Sequence, residues 1–542
     1  MTEPSTSESS EHARILRSSV VVGAGTALSR ATGFLRIAAI AYALGLSGVA
    51  SVYSYANETP NIVYELLLGG VLTATLVPVF VRLRDARDDE SASAVWTVSL
   101  VALAGVTVLA VLLAPWIVRL FTLRLDAADR AAQQDVATDL MRLFMPQMFF
   151  YGLVALATAM LNSRRRYAAA AFAPILNNVV VISLFLALPR IVDGPITLER
   201  VRNDTPLVVL LGLGTTAGIA VMALALLPAL ARAGIRLRFR LDLRDPAVAT
   251  ILRLSGWTVL YVITNQIALW VVLVLANETS GGPFAYLAAA AFFQLPHGLV
   301  TVSLMTTLTP ELAAAAGRHD IVGLRDRYSM GLRLAALIVV PAAALYVALS
   351  RPIVVSLLER GAFTGGDSEL VANTLLAFAV GLVPFSVYLF SLRVYYAMED
   401  TRTPFLLNAF ENAVNIALAI PLFAWIGVPG LALAFALAYA MAAVATFAAL
   451  RRRLGRLDGR RLASTFGRLG LAAVLAAAAA WPVARLIGYG STGQATLALV
   501  AGAVTGAVVY FGALVLLRVE ELGMLRALRR GPAGMVSRRP GG

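Results

Sequence analysis

This 542-residue chain has no cysteine, no lysine and only three histidines. Without cysteine, disulfides and thiolate metal sites are excluded. His12, His297 and His319 are scattered and give no metal-ligand spacing. Without lysine there is neither a P-loop ammonium nor a Schiff base, which argues against ATP hydrolysis by this chain. Charge is scarce too: 14% of residues are charged and 59% hydrophobic, with a mean hydropathy of +0.79. That balance belongs to polytopic membrane proteins rather than to the several soluble domains that the length alone would suggest.

All 45 basic residues are arginine, against 31 acidic ones, for a net charge of +14. In a soluble protein this excess would suggest nucleic acid. Here the arginines gather between apolar runs, so no nucleic-acid partner is expected. Fourteen apolar segments are visible, near 18–44, 59–81, 94–118, 138–161, 168–189, 206–231, 250–276, 284–309, 331–350, 370–397, 404–425, 428–450, 466–488 and 495–517. The clusters at Arg82 to Arg87, Arg164 to Arg166, Arg232 to Arg253, Arg318 to Arg333, Arg402 and Arg451 to Arg468 all follow even-numbered segments. The positive-inside rule then puts both termini and every arginine-rich loop in the cytoplasm. The polar first sixteen residues read as a disordered cytoplasmic tail with no signal-peptide cleavage site.

The chain repeats itself. Pro146, Met160, Arg164 and Asn177 recur as Pro384, Met398, Arg402 and Asn415 at an offset of 238, and TLVPVF (75–80) resembles TLTPEL (307–312) at 232. Each half holds six segments. Six is even, so the halves share one orientation, related by an axis along the membrane normal. The expected division is a tail (1–16), an N-lobe (17–235), a C-lobe (236–455), two appended helices (456–520) and a basic cytoplasmic tail (521–542). Prolines within the segments, among them Pro60, Pro78 and Pro296, would permit kinks for a rocking motion.

Polar residues kept inside such segments mark candidate sites, because they are costly in lipid. In the first half these are Arg30, Arg36, Glu58, Asn61, Glu65, Gln147, Asn177 and Asn178. In the second half they are Asn265, Gln266, Gln294, His297, Arg393, Asn408, Glu411, Asn412 and Asn415. Arg30 and Arg36 lie in one segment, about 120° apart around a helix and nearly two turns apart in depth. A guanidinium presents a fixed fork of donors suited to phosphate, so a desolvated arginine pair suits a diphosphate. Two plainer readings compete: an arginine that snorkels to the interface, or one neutralised by Glu65. For Asn178 and Asn265 the plainer reading, hydrogen bonding between helices, is the favoured one.

SRATGFLR (29–36), TPN (59–61), the run from Gly69 to Phe80, LNSRRRYAAAAFAPILNN (161–178) and LRVYYAMEDTRTP (392–404) together resemble the MurJ (MviN) family of lipid II flippases. That family lies within the multidrug/oligosaccharidyl-lipid/polysaccharide (MOP) exporter superfamily, and the match looks closest to actinobacterial members. The resemblance implies an all-α polytopic fold of fourteen transmembrane helices. Two six-helix lobes would form a V around a central cavity, with the last two helices building a groove for a polyprenyl tail. It also implies that Arg30 and Arg36 bind the substrate's head group; from the polar residues above, Asn61, Glu65 and Arg393 are the further candidate substrate contacts and Asn177, Gln266 and Gln294 the candidate polar cavity residues. The chain departs from the Gram-negative pattern at Ser51, Tyr64, Ala290 and Ala291; Arg393 is the candidate replacement for the arginine thereby missing from the second lobe.

Some members are thought to bind sodium between segments seven and eleven; here Asn408, Glu411, Asn412 and Asn415 would supply the oxygens. No other cofactor is expected. The implied function is a flippase, not an enzyme, carrying lipid II from the inner to the outer leaflet of a bacterial inner membrane, with membrane lipids and cell-wall synthesis or division proteins as further partners. The alternatives are a flippase for another polyprenyl-linked glycan, a drug/ion antiporter of the same superfamily, or a non-transporting scaffold of a division complex.

Overall fold

In a computed structural model of the chain, residues 6–66, 76–235, 237–254 and 256–522 are described, and all their regular structure is helical. Lipid offers the backbone no hydrogen-bond partners, so a long apolar segment must satisfy its own N–H and C=O groups, which a helix does. The chain forms two compact units, 1–284 with 360–363, and 285–359 with 364–542. The first contains α1 (Thr6–Leu44), α2 (Gly48–Leu66), α3 (Val77–Asp85), α4 (Asp89–Phe121), α5 (Ala127–Phe144), α6 (Gln147–Ser163), α7 (Tyr167–Ile191), α8 (Leu198–Asn203), α9 (Thr205–Leu224), α10 (Leu226–Arg232), α11 (Pro246–Leu254) and α12 (Gly256–Ala276). Next come α13 (Gly282–Pro296), α14 (Val302–Gly317), α15 (Ile321–Leu358), α16 (Gly365–Ala397), α17 (Arg402–Ile426), α18 (Val428–Leu454), α19 (Gly459–Ile487) and α20 (Thr492–Leu516).

The fourteen apolar segments coincide with helix wherever the structure describes them. Eleven helical stretches among the described residues are long and apolar enough to span a bilayer, and a bent pair, Gly282–Leu299 with Val302–Gly317, makes twelve. Leu260–Ala276 is a shorter apolar helix. The remaining segment, 59–81, runs through residues 67–75, outside the described residues. The bend in the pair falls at a π-helical turn, His297–Thr301, directly after Pro296. A proline ring displaces the carbonyl four residues back, and a wider turn absorbs that displacement.

Two boundaries differ from the sequence reading. Helix α1 starts at Thr6, inside the stretch read as tail. At the other end Glu521 is 1% exposed, so the second unit's packing runs past 520. Helix α12, the seventh apolar segment, packs on α2 and α4 within the first compact unit.

The repeat is written in the backbone turns. Before α4 the chain reverses through left-handed Arg87, the Asp88 N–H donates to the Leu83 carbonyl, and Asp88 Oδ1 accepts from Ser91 N at 2.8 Å. Before α15, 232 residues on, left-handed His319, the Asp320 N–H on the Ala315 carbonyl and Asp320 Oδ1 on Gly323 N at 2.8 Å repeat all three. Likewise the α6–α7 turn at Arg165 and the α16–α17 turn at Glu399 share their hydrogen bonds, Arg166 N to Leu161 O and Asp400 N to Tyr395 O. These two turns are 234 residues apart. The sequence offset of 238 therefore slips by about one helical turn against the backbone, an easy error in alanine-rich helices. Counted from the turn, Asn177 and Asn178 on α7 occupy the places of Glu411 and Asn412 on α17, and all four are buried.

These aspartates close orphaned N–H groups at helix starts. Asp88→Ala or Asp320→Ala should each cost about 0.5–2 kcal/mol, read as a lower unfolding midpoint in detergent. The Ser91 N–H holds the Asp88 carboxyl below the usual carboxylate range. A lowered folded-state value means this stabilisation is present above the unfolded pKa of about 3.9 and is lost as pH falls through the lowered one. Asp88→Asn should remove that pH dependence while keeping the cap.

In the second unit α15 packs against α16, α19 and α20, and α19 against α20. The glycines of α20 make this close: a Cβ on Gly506 would sit 2.6 Å from a Leu345 methyl. At one end Arg333 Nη1 meets Glu521 Oε1 at 2.8 Å, both side chains 5% exposed or less. Thr465 of α19 donates to the same oxygen at 3.2 Å.

Candidate functional site

Helix α1 spans from Val21 to Leu44. At about 1.5 Å per residue, Arg30 lies about 14 Å from the start, Arg36 about 12 Å from the end, and the two about 9 Å apart along the axis. Both are more than two turns from either end, which disfavours snorkelling. Both are half-buried, whereas Leu28 and Leu35 on the same helix are exposed. Neither arginine forms an ion pair among the described residues. Glu65, the candidate neutraliser, is exposed.

The wall behind the arginines is tightly tied. Asn178 on α7 donates to the Ser29 carbonyl at 3.1 Å and to Thr32 Oγ1 at 2.9 Å, fixing the turn of α1 that carries Arg30. Gly25 allows this approach, since a Cβ there would stand 2.9 Å from that of Ala171. Arg36 lies within electrostatic reach of the Tyr53 hydroxyl and the Glu58 carboxyl. Tyr53 bonds Thr215 Oγ1 at 2.9 Å and lies edge-on to Phe144 and Phe185. Glu58 accepts from Asn61 Nδ2 at 3.1 Å. Gln147 donates to Asn57 Oδ1 at 3.3 Å and Thr216 Oγ1 at 3.2 Å. The structure thus gathers Arg36, Glu58 and Asn61, braced by Gln147, Asn57, Tyr53 and the Thr215–Thr216 pair. The sequence reading missed the last four; the adjacent threonines in an otherwise Gly- and Leu-rich segment were the available signal.

Other expected cavity residues have different surroundings. Asn177 is buried beneath α9, where a Cβ on Gly218 would stand 2.5 Å from its Oδ1, an atom with no hydrogen-bond partner. Gln266 borders a cavity of about 230 Å³ with Ile62 and Trp270, and its Oε1 has no hydrogen-bond partner. Asn265 donates to the Tyr261 carbonyl of its own helix at 3.2 Å. Ser51 is buried and accepts from Gly281 N at 2.8 Å, anchoring α2.

In the second unit Gln294 and Arg393 are exposed on α13 and α16. His297 meets Ser386 Oγ at 3.0 Å. Asn408, Glu411, Asn412 and Asn415 are all buried on α17. Asn412 donates to the Asn408 carbonyl at 2.9 Å. Both Glu411 carboxylate oxygens and Asn415 Oδ1 lack hydrogen-bond partners among the described residues. Unsatisfied hard oxygens one helical turn apart fit a small cation by donor chemistry.

Solved structures share this backbone. One titled "Lipid II flippase MurJ, inward closed conformation" is similar with a TM-score of 0.73 and 19% identity, over 92% of this chain and 99% of the other. An inward-facing multidrug transporter of the MATE family gives 0.64 and 17%, over 79% and 96%. Identities this low show fold alone: the chain shares the fold of these two transporters. Sequence narrows the class. The family described as lipid II flippase MurJ matches residues 40–501, and a probable lipid II flippase MurJ of Rhizobium tropici is 31% identical over 444 residues, 81% of each chain. The chain belongs to the lipid II flippase MurJ family.

Proposed function

We infer that this chain moves lipid II, a polyprenyl-diphosphate glycolipid, from the inner to the outer leaflet of the bacterial inner membrane. The observation that carries the reading is the half-buried arginine pair on α1, without an ion pair among the described residues, joined to membership of the family. The diphosphate would take the guanidinium forks of Arg30 and Arg36, with Asn61 and Glu58 placed to meet uncharged groups of the head. Cycling would expose this site to one leaflet and then the other. A membrane potential, negative inside, would favour outward movement of an anion by about 2.3 kcal/mol per charge per 100 mV. Should sodium take part, Glu411 and Asn415, with Asn408 and Asn412 beside them, would hold it. A cationic-drug antiporter is the poorer reading, since its substrate would meet arginines at mid-membrane.

Leaflet-resolved labelling of lipid II in cells depleted of the protein tests this. Lipid II should collect on the inner leaflet, and re-expression should restore outer exposure. Unchanged outer-leaflet lipid II on depletion would overturn the substrate assignment.

A further inference from the structure

We propose that the first unit carries a second site, distinct from the α1 arginine pair, for the head group of an anionic phospholipid. It is a cavity of about 350 Å³ at the arginine-rich ends of the helices, equal to roughly a dozen waters at about 30 Å³ each. Arg165, Arg166 and Arg232 line it, and so do the apolar side chains of Val21, Leu161 and Ala229.

Depth identifies the ligand class. Tyr167 opens the α7 span, and Ser163 and Arg232 close two others. Three span ends therefore meet at one level, beside Val21 of α1, where lipid head groups lie. Val21 is also about 14 Å along α1 from Arg30. Guanidinium forks suit phosphate oxygens, while the apolar side chains would sit against glycerol and the first acyl carbons; a free phosphate would leave them wet. Basic pockets between helices at this level are known lipid head-group sites.

The frame is built to hold its shape. Arg164 Nη1 donates to the Ala233 carbonyl at 3.1 Å, tying the 164–166 turn to the end of α10. Arg165 turns the chain with a left-handed φ of 58°. The first turn of α7 has no side-chain cap, so its backbone N–H groups add to the positive field beside the arginines.

The test uses the purified full chain in detergent, stripped of lipid, with binding read by native mass spectrometry. Phosphatidylglycerol should bind and phosphatidylcholine should not. Replacing all three arginines (Arg165→Gln, Arg166→Gln, Arg232→Gln) should weaken phosphatidylglycerol about 100-fold, from roughly one kcal/mol per arginine near a lipid surface. Ala229→Trp, which fills the cavity with apolar bulk and keeps every charge, should also abolish binding, and it serves if the triple variant does not fold. Equal phosphatidylglycerol affinity in wild type and a folded variant would overturn the proposal. So would full displacement by an equal concentration of inorganic phosphate, which would make this a soluble-anion site, or by lipid II, which would make it a station for the transported substrate. Binding is read without transport, so the result stands apart from the flippase reading.

Discussion

Arg30→Ala and Arg36→Ala should each reduce lipid II affinity by about 10- to 150-fold, the loss of one charge-assisted interaction worth about 1.5–3 kcal/mol. Among the described residues neither side chain has an ion pair, and neither is fully buried, so truncation orphans no described carboxylate. The unfolding midpoint should barely move while transport collapses. Lysine substitution separates charge from geometry: Arg36→Lys keeps the cation but loses the planar fork. A head group held by bidentate contacts should be bound measurably less well by the lysine variant, yet better than by the alanine one. Lipid II binding to the purified protein gives the affinity, and leaflet labelling in cells gives the rate. Variants that unfold at lower temperature and still transport would reassign both arginines to packing.

The opposite pattern is expected at Arg333 and Glu521. Glu521→Ala leaves a buried guanidinium without its carboxylate and should cost about 3–5 kcal/mol. The pair itself contributes far less than this, because desolvation of both charges offsets much of their attraction. Arg333→Met combined with Glu521→Leu should therefore recover most of the lost stability. Equilibrium unfolding of the two single variants and the double variant reads this as a coupling energy. A double variant as unstable as Glu521→Ala alone would mean that specific hydrogen bonding, including that of Thr465, matters more than charge balance.

Much of this was legible in the residues. Long apolar runs admit only helices in lipid, and the segments read from hydropathy are helix wherever the structure describes them. The motif around Arg30 and Arg36 led to the family. The asparagine reading held for Asn178, which bonds across from α7 to α1. What was hidden depends on partners far apart in sequence. Arg333 looked like one more loop arginine and Glu521 like part of a tail, yet they meet across 188 residues. Gln147 and Asn57, 90 residues apart, gave no local sign of their bond. The repeat was visible, but its register was set by backbone turns at Arg165 and Glu399, and letters alone placed it four residues off.

The buried pair also bears on how the protein is made. Arg333 leaves the ribosome 188 residues before Glu521, which at about 5–20 residues per second is roughly 10–40 s. During that interval the nascent chain holds a guanidinium at a site that is dry only when its partner is present. Helix α15 is therefore expected to reach its final packing only once α19 and α20 have been synthesised. Nascent chains stalled before residue 521 should still admit water to Arg333, and arrival of Glu521 should close it off, making the last helices to be inserted the ones that complete assembly of the second unit.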